Sequence, residues 1–212
     1  MQLKNRREAV TATVLVAVSV LATLARTDGA LCDKSDKAAL LAVKSALGNP
    51  LALSGWNSTV ACCSWEGISC NATTGRVTDL TVFALNISAP VPAAIANLTA
   101  LQSVNLAYNQ LYGSIPAFLG PRALPDLTFL RLDGNRLSGA IPPTATVFNL
   151  LLVGNRLTGP VPESVVNCRG LRVLDLGANA LAGAVPPVIG TLRSLSVLRL
   201  AGNPRISGSI PA

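Results

Sequence analysis

Apolar and polar residues alternate in a pattern that recurs along most of the chain. In LQSVNLAYNQLYGSIP (residues 101–116), the apolar positions include Leu101, Val104, Leu106 and Leu111, and an asparagine, a glycine and a proline follow at fixed spacing. Because the two middle apolar residues alternate with polar or small neighbours, the pattern predicts a short strand that buries both on one face. The asparagine amide can satisfy backbone groups of the turn that follows.

Six copies of this pattern align, with spacings of 24, 26, 20, 24 and 24 residues. The copies begin at Val77, Leu101, Leu127, Val147, Leu171 and Leu195. Repeats of this length are typical of a leucine-rich-repeat solenoid, in which each coil is stabilised by the coils stacked against it. The sequence therefore predicts an α/β solenoid, a right-handed superhelix with a parallel, concave β-sheet.

The beginning of the chain differs from the repeats. Lys4, Arg6 and Arg7 precede a mostly apolar run over residues 9–25. This order is typical of a cleaved secretory signal, and the run is short for a membrane span of about 20 residues. We therefore expect a secreted protein with no membrane span in the mature chain. The predicted division is a signal peptide (1–30), an amino-terminal cap (31–76) and six repeats without a carboxy-terminal cap (77–212).

Composition and charge narrow the function. The chain has 17 basic and 10 acidic side chains, and without residues 1–30 there remain 13 and 8, a net charge of +5. Basic residues form no run or aromatic-studded patch, which argues against nucleic acid as a partner. The positive charge permits attraction to pectin, an acidic polymer. No histidine and no Gly-rich phosphate loop occur, so neither a cofactor nor an enzyme is expected.

The predicted cap contains a helix and a group of cysteines. Ser35 can cap a helix whose apolar stripe is Leu40, Val43 and Leu47. The cysteines are Cys32, Cys62, Cys63 and Cys70. Four grouped cysteines in a secreted chain predict two disulfides, and three pairings are possible. A zinc site is disfavoured because histidine is absent and the spacing is not a paired CxxC, so no metal is expected.

Four sequons for N-glycosylation lie in the cap and the first repeat, and they support export. Their asparagines are Asn57, Asn71, Asn86 and Asn97. The strand face from the second repeat onward contains no sequon.

Strand residues that alternate with the buried ones are expected on the concave face, where they are available for binding. Exposed phenylalanine and arginine favour a protein partner, because aromatic residues and arginine dominate interface energetics. The predicted binding residues are Phe83, Ser103, Asn105, Phe129, Arg131, Asp133, Asn149, Leu151, Asp175 and Arg199.

Carboxylates on the same face raise the alternative of a glycosidase. Asp79 and Asp133 are two coils apart, and so are Asp133 and Asp175. Two coils correspond to roughly 10 Å, at or beyond the upper limit for paired catalytic carboxylates. Catalysis is therefore not expected.

The repeat LxxLxLxxNxLxGxIP resembles the plant extracellular type, which receptor kinases also contain. The cap, above all DKAALLAVKSALGNP (36–50), the CCSW cluster and the TVFA strand, resembles that of plant polygalacturonase-inhibiting proteins. The resemblance implies disulfides Cys32–Cys62 and Cys63–Cys70. It also implies secretion to the cell wall (apoplast) and binding of fungal polygalacturonases through the concave face. Members usually have about ten repeats and a carboxy-terminal closure, so this chain is expected to be a shortened member.

Three hypotheses for function follow. The first is a secreted inhibitor of fungal polygalacturonase in plant defence. The second is a developmental or receptor-type module that binds a peptide or a receptor kinase. The third is a structural wall protein that binds pectin itself.

Overall fold

The computed structural model describes residues 32–143 and 147–209. The predicted signal peptide and the last three residues of the chain lie outside the described residues. Among the residues that are described, no helix is both long and apolar enough to cross a bilayer.

Twelve strands follow one α-helix in the described part of the chain. The helix α1 spans Lys34–Ala46. The strands are β1 (Ile68–Cys70), β2 (Val77–Thr81), β3 (Ser103–Asn105), β4 (Tyr112–Ser114), β5 (Phe129–Arg131), β6 (Arg136–Gly139), β7 (Asn149–Leu151), β8 (Arg156–Gly159), β9 (Val173–Asp175), β10 (Ala180–Ala184), β11 (Val197–Arg199) and β12 (Arg205–Ser207).

Seven of these strands form the concave sheet, in the order β1-β2-β3-β5-β7-β9-β11. Strand β1 of the cap runs antiparallel to β2, and the remaining neighbours are parallel. The apolar residues at the centre of each repeat strand align across the sheet, and they are Leu80, Val104, Leu130, Leu150, Leu174 and Leu198. The predicted solenoid with a parallel sheet is confirmed.

A second sheet contains the extended piece that follows the asparagine in the second to sixth repeats. Its order is β12-β10-β8-β6-β4, and its strands are parallel. The repeat predicts that this piece is extended but not that neighbouring pieces pair. Short 3₁₀ turns then lead back toward the concave sheet, and they are Ala93–Asn97, Ala117–Leu119, Glu163–Asn167 and Pro187–Thr191.

The core lies between the two sheets, and a row of buried asparagines borders it. The row consists of Asn109, Asn135, Asn155, Asn179 and Asn203. Asn135 illustrates their role: its Nδ2 donates to the carbonyls of Leu106 and Leu132, both at 3.0 Å. Its Oδ1 accepts from the N–H of Leu111 at 2.9 Å. Each amide therefore satisfies backbone groups of two coils, which would otherwise be buried without partners.

Helix α1 begins two residues earlier than the sequence suggested. Asp33, not Ser35, is the N-cap, because its Oδ1 accepts from the N–H groups of Ser35 at 2.9 Å and Asp36 at 3.1 Å. The hydrogen bond from the Ser35 side chain is the main cause that lowers the pKa of Asp33. The predicted stripe of Leu40, Val43 and Leu47 is buried.

Asp36 joins the cap to the first repeat. Its buried Oδ2 accepts from Arg76 Nε at 2.9 Å and from the Val77 N–H at 2.8 Å. The rings of Trp56 and Trp65 stack in the cap at 5.5 Å. Polar contacts of Asp36 thereby hold the cap against the first coil, and the stacked rings pack within the cap itself.

The cap cysteines form the two disulfides that the resemblance implied, Cys32–Cys62 and Cys63–Cys70. The sulfur atoms of Cys32, Cys62 and Cys63 lie within 4.8 Å of one another, a spacing that could suit a metal ion. All three sulfurs are in disulfide bonds, so they have no thiolate to offer a metal.

Candidate protein-binding face

Register on the concave sheet places the predicted binding residues in columns. The middle column consists of Thr81, Asn105, Arg131, Leu151, Asp175 and Arg199. The column beside it contains Asp79, Ser103, Phe129, Asn149, Val173 and Val197. Phe83 and Asp133 occupy the equivalent position just after their strands. Strand alternation in the sequence is sufficient to predict this common face.

Three coils contribute to one group of side chains near the cap, which we call the aromatic–arginine cluster (Phe83, Tyr108, Arg131 and Asp133). The rings of Phe83 and Tyr108 meet edge to face, with centroids 5.5 Å apart. The Arg131 guanidinium lies 5.5 Å from the Phe83 centroid and 5.6 Å from that of Tyr108. Both distances are within the range of cation–π attraction.

Asp133 holds Arg131 in this position. Arg131 Nε donates to Asp133 Oδ1 at 2.8 Å, and Nη2 donates to Oδ2 at 3.3 Å. These hydrogen bonds are the main cause that raises the pKa of Arg131 above its ordinary value. Asp133 is only 2% exposed, whereas strand alternation predicted an accessible residue. Because its carboxylate is paired with Arg131, Asp133 supports the face from below and is not itself available to a partner.

Tyr108 is the member of the cluster that sequence analysis missed. It follows the strand pattern and precedes Asn109, where its backbone is left-handed with φ of 55°. Every residue at this position in the six coils has positive φ, and these are Ala84, Tyr108, Gly134, Gly154, Ala178 and Gly202. The signal that could have found Tyr108 is an aromatic residue where the other coils have glycine or alanine.

Gly134 makes room for the Tyr108 ring. A Cβ at Gly134 would lie 2.7 Å from Tyr108 Cδ1, closer than real Cβ contacts come. The next glycine in this row, Gly154, would place its Cβ near backbone atoms of Gly134 only, at 3.7 Å or more. The ring position of Tyr108 therefore depends on a glycine in the following coil.

The half of the face distant from the cap is built from smaller groups. Arg199 Nη1 contacts Asp175 Oδ2 at 3.3 Å, and the Arg199 side chain is 64% exposed. Asp175 is buried, again in contrast to the expectation from strand alternation, because Arg199 and the Gly177 N–H occupy its oxygens. A groove of about 490 Å³ here is lined mainly by apolar and small residues, among them Val153 and Ala201.

Carboxylates of the face are not arranged as a catalytic pair. Asp133 and Asp175 each face an arginine. Asp79 accepts a hydrogen bond from the Thr78 hydroxyl at 2.8 Å. A glycosidase needs one carboxylic acid and one free carboxylate directed at the same bond, and this arrangement does not provide them.

A second groove, which the sequence did not predict, lies beside the concave sheet. Its volume is about 530 Å³, and Asp126, Phe148 and Arg169 are among the residues that line it. The Arg172 guanidinium lies 5.8 Å from the Phe148 centroid. Neither Arg169 nor Arg172 belongs to any of the ion pairs of the described residues. This flank groove therefore has an aromatic wall and charges of both signs around it.

The predicted glycosylation sites are on the surface. Asn71, Asn86 and Asn97 are exposed, and Asn57 is half-buried. Asn57 Oδ1 accepts from the N–H of Thr59 at 3.0 Å, so that sequon forms a tight turn. Asn86 Oδ1 accepts a hydrogen bond from Gln110 Nε2. Glycan attachment at these asparagines stays a prediction.

Known proteins with similar sequences or folds support this description. Family models match at residues 33–71 (leucine rich repeat N-terminal domain) and 126–148 (Leucine Rich Repeat). Polygalacturonase inhibitor 1 of Oryza sativa subsp. japonica is 42% identical over 123 residues, which cover 57% of this chain and 36% of the rice protein. The chain matches only 36%, 22% and 30% of the length of the first three curated inhibitors.

Solved structures of plant receptor ectodomains have the same fold. The BIR2 ectodomain of Arabidopsis thaliana superposes with a TM-score of 0.75 at 29% identity, covering 84% of this chain and 96% of that one. The Arabidopsis receptor kinase HAESA, solved in complex with the peptide hormone IDA and the co-receptor SERK1, gives 0.66 at 31% identity, covering 84% of this chain and 35% of HAESA.

The cap and the repeats match these relatives in sequence and fold. The resemblance to plant polygalacturonase-inhibiting proteins is confirmed over the matched part of the chain. Over the matched residues, the chain is therefore similar in sequence and fold to plant leucine-rich-repeat proteins, and its own amino-terminal cap is disulfide-bonded.

Proposed function

We propose that the protein acts outside the cell, in the plant cell wall, where its concave face binds and inhibits a fungal polygalacturonase. Similarity to polygalacturonase inhibitors supports the class of partner. Disulfides in the cap fit an oxidising, extracellular environment. The inhibited step would be the cleavage of pectin by the bound enzyme.

The aromatic–arginine cluster is the observation that carries this proposal. Phe83 is 42% exposed and Tyr108 is 52% exposed, although both are large hydrophobic side chains. Aromatic residues and arginine are the residue types that contribute most to protein interfaces. Ring contacts and the Asp133 ion pair already hold the cluster in place, so little side-chain entropy is lost on binding.

A receptor-type function is the second candidate, and the length of the BIR2 match favours it. The structural match covers 96% of that ectodomain, whereas the sequence match covers 36% of the rice inhibitor. HAESA shows that a related solenoid binds a peptide and a co-receptor. In this alternative, the same cluster would bind a peptide or a receptor kinase ectodomain.

Binding and inhibition assays with the secreted protein separate these candidates. Immobilised protein is exposed to a panel of fungal polygalacturonases, to receptor kinase ectodomains, and to polygalacturonate without enzyme. We expect saturable binding of at least one polygalacturonase together with loss of its reducing-sugar release. Arg156→Gln, an exposed substitution on the second sheet and away from the concave face, serves as the control and should leave binding unchanged.

Three outcomes would contradict the proposal. Binding of a receptor ectodomain without any polygalacturonase would favour the second candidate. Retention of polygalacturonate alone would favour the pectin hypothesis. Binding of an enzyme without loss of its activity would support recognition of the enzyme and contradict its inhibition.

A further inference from the structure

A pocket lies between the cap and the first coil, at the end of the concave face. Its volume is about 540 Å³. The residues that line it are Ala52, Leu53, Glu66, Gly67, Thr81, Phe83 and Leu85. We call it the cap pocket. Phe83 belongs both to this pocket and to the aromatic–arginine cluster, so the two features are contiguous.

Backbone contacts hold the walls of the cap pocket together. The Thr81 N–H donates to the Gly67 carbonyl at 2.7 Å, and Trp56 Nε1 donates to the Glu66 carbonyl at 3.0 Å. Gly67 has φ of 80°, and a Cβ there would lie 2.1 Å from the Thr81 carbonyl oxygen. Only glycine permits this close approach of cap and coil. The pocket is therefore preformed.

Charge distinguishes the cap pocket from the rest of the face. Among the described residues that line it, Glu66 is the one with an ionisable side chain. Glu66 is exposed, and it takes part in none of the ion pairs that the described residues form. Asp133 and Asp175 are instead each paired with an arginine. The pocket thus combines apolar walls with one uncompensated negative charge.

We propose that the cap pocket binds a lysine or arginine side chain of the protein partner. Such a side chain has an apolar stem, which would lie along Leu53 and Phe83, and a cationic head, which would reach Glu66. A purely apolar side chain would remove water from the Glu66 carboxylate without replacing its hydrogen bonds, which costs free energy. An acidic side chain would be repelled. This inference rests on the proposed function only for the identity of the partner.

Small probes test the pocket without any partner protein. In NMR titrations, Nα-acetyl-arginine amide should shift the amide signals of Gly67 and Thr81 in a saturable way. Nα-acetyl-norleucine amide should bind more weakly, and Nα-acetyl-glutamate amide should cause no saturable shift. Glu66→Gln should weaken the arginine probe roughly fivefold, as expected for the loss of one accessible ion pair, whereas Glu163→Gln in a 3₁₀ turn outside the concave face should not.

A second measurement tests use of the pocket in the complex. The affinity of wild type, Glu66→Gln and Glu163→Gln for a polygalacturonase that binds the wild type is compared, with thermal unfolding as the control for folding. Glu66→Gln alone should lower the affinity, again roughly fivefold. If no enzyme binds the wild type, the proposed function fails while the probe titrations still decide the pocket chemistry.

Two results would overturn the inference. Absence of saturable shifts with the arginine probe, or equal shifts with the glutamate probe, would show that the pocket does not select a cation. Unchanged enzyme affinity of Glu66→Gln would show that the partner does not use the pocket.

Discussion

The two halves of the concave face have the same backbone and different chemistry. Near the cap, Phe83, Tyr108 and Arg131 form a cluster of exposed rings around a guanidinium. In the distant half, the positions equivalent to Phe83 contain Val153, Gly177 and Ala201, and no contact between aromatic rings is formed there among the described residues. Strand register and the asparagine row continue through both halves. The repeat therefore determines where side chains stand, and the variable positions determine the different chemistry of the two halves.

Arginine–aspartate pairs show the same contrast. Arg131 and Asp133 lie in one coil, make two hydrogen bonds and are covered by aromatic rings. Asp175 and Arg199 come from different coils and make one contact at 3.3 Å, with Arg199 largely in solvent. Solvent screens an exposed pair and lets its side chains move, so such pairs contribute little stability. We infer that the first pair is held more rigidly than the second.

Neutralising the aspartate of each pair tests this difference, and it has the largest effect that we expect on the free energy of unfolding. Asp133→Asn should lower the free energy of unfolding by about 2 kcal/mol, because it leaves Arg131 without its bidentate partner in a partly buried site. Asp175→Asn should cost about 0.5–1 kcal/mol, because Arg199 is already solvated. Urea unfolding of both variants gives the comparison. Equal losses in the two variants would mean that the pairs are energetically alike.

Alanine substitutions of two glycines at equivalent positions of neighbouring coils provide a second comparison. Gly134→Ala and Gly154→Ala should each cost about 1 kcal/mol in unfolding free energy, because both residues have positive φ. Only Gly134→Ala should also displace the Tyr108 ring, since the new Cβ would contact it. NMR signals of the Tyr108 ring and polygalacturonase affinity report the displacement. If Gly154→Ala changes them as much, Gly134 has no special role.

Features that repeat along the chain could be predicted from the sequence. The alternation of apolar residues with polar or small ones, as at Val104 and Leu106, indicates the strands and the common face because its period is that of a strand. The asparagine positions indicate the buried row, since an amide both donates and accepts. The disulfide pairing came from the resemblance and not from spacing, which left three pairings open.

Contacts between particular coils could not be predicted in this way. Burial of Asp133 depends on the Arg131 side chain above it, and the place of Tyr108 depends on Gly134 in the next coil. The cap pocket requires residues from the cap and the first coil together. Asp33 caps helix α1 in place of Ser35 because both residue types can serve as a cap, and only backbone geometry decides between them.

The most direct test of the account compares Phe83→Ala with Val153→Ala, which truncate equivalent positions in the two halves. Calorimetric titration with a polygalacturonase that binds the wild type gives the affinity of each variant, and thermal unfolding confirms that both fold. We predict that Phe83→Ala lowers the affinity about 30-fold, the loss typical of an interface hot spot, and that Val153→Ala lowers it less than about threefold. A loss for Val153→Ala equal to or greater than that for Phe83→Ala would contradict the claim that the half near the cap binds the partner.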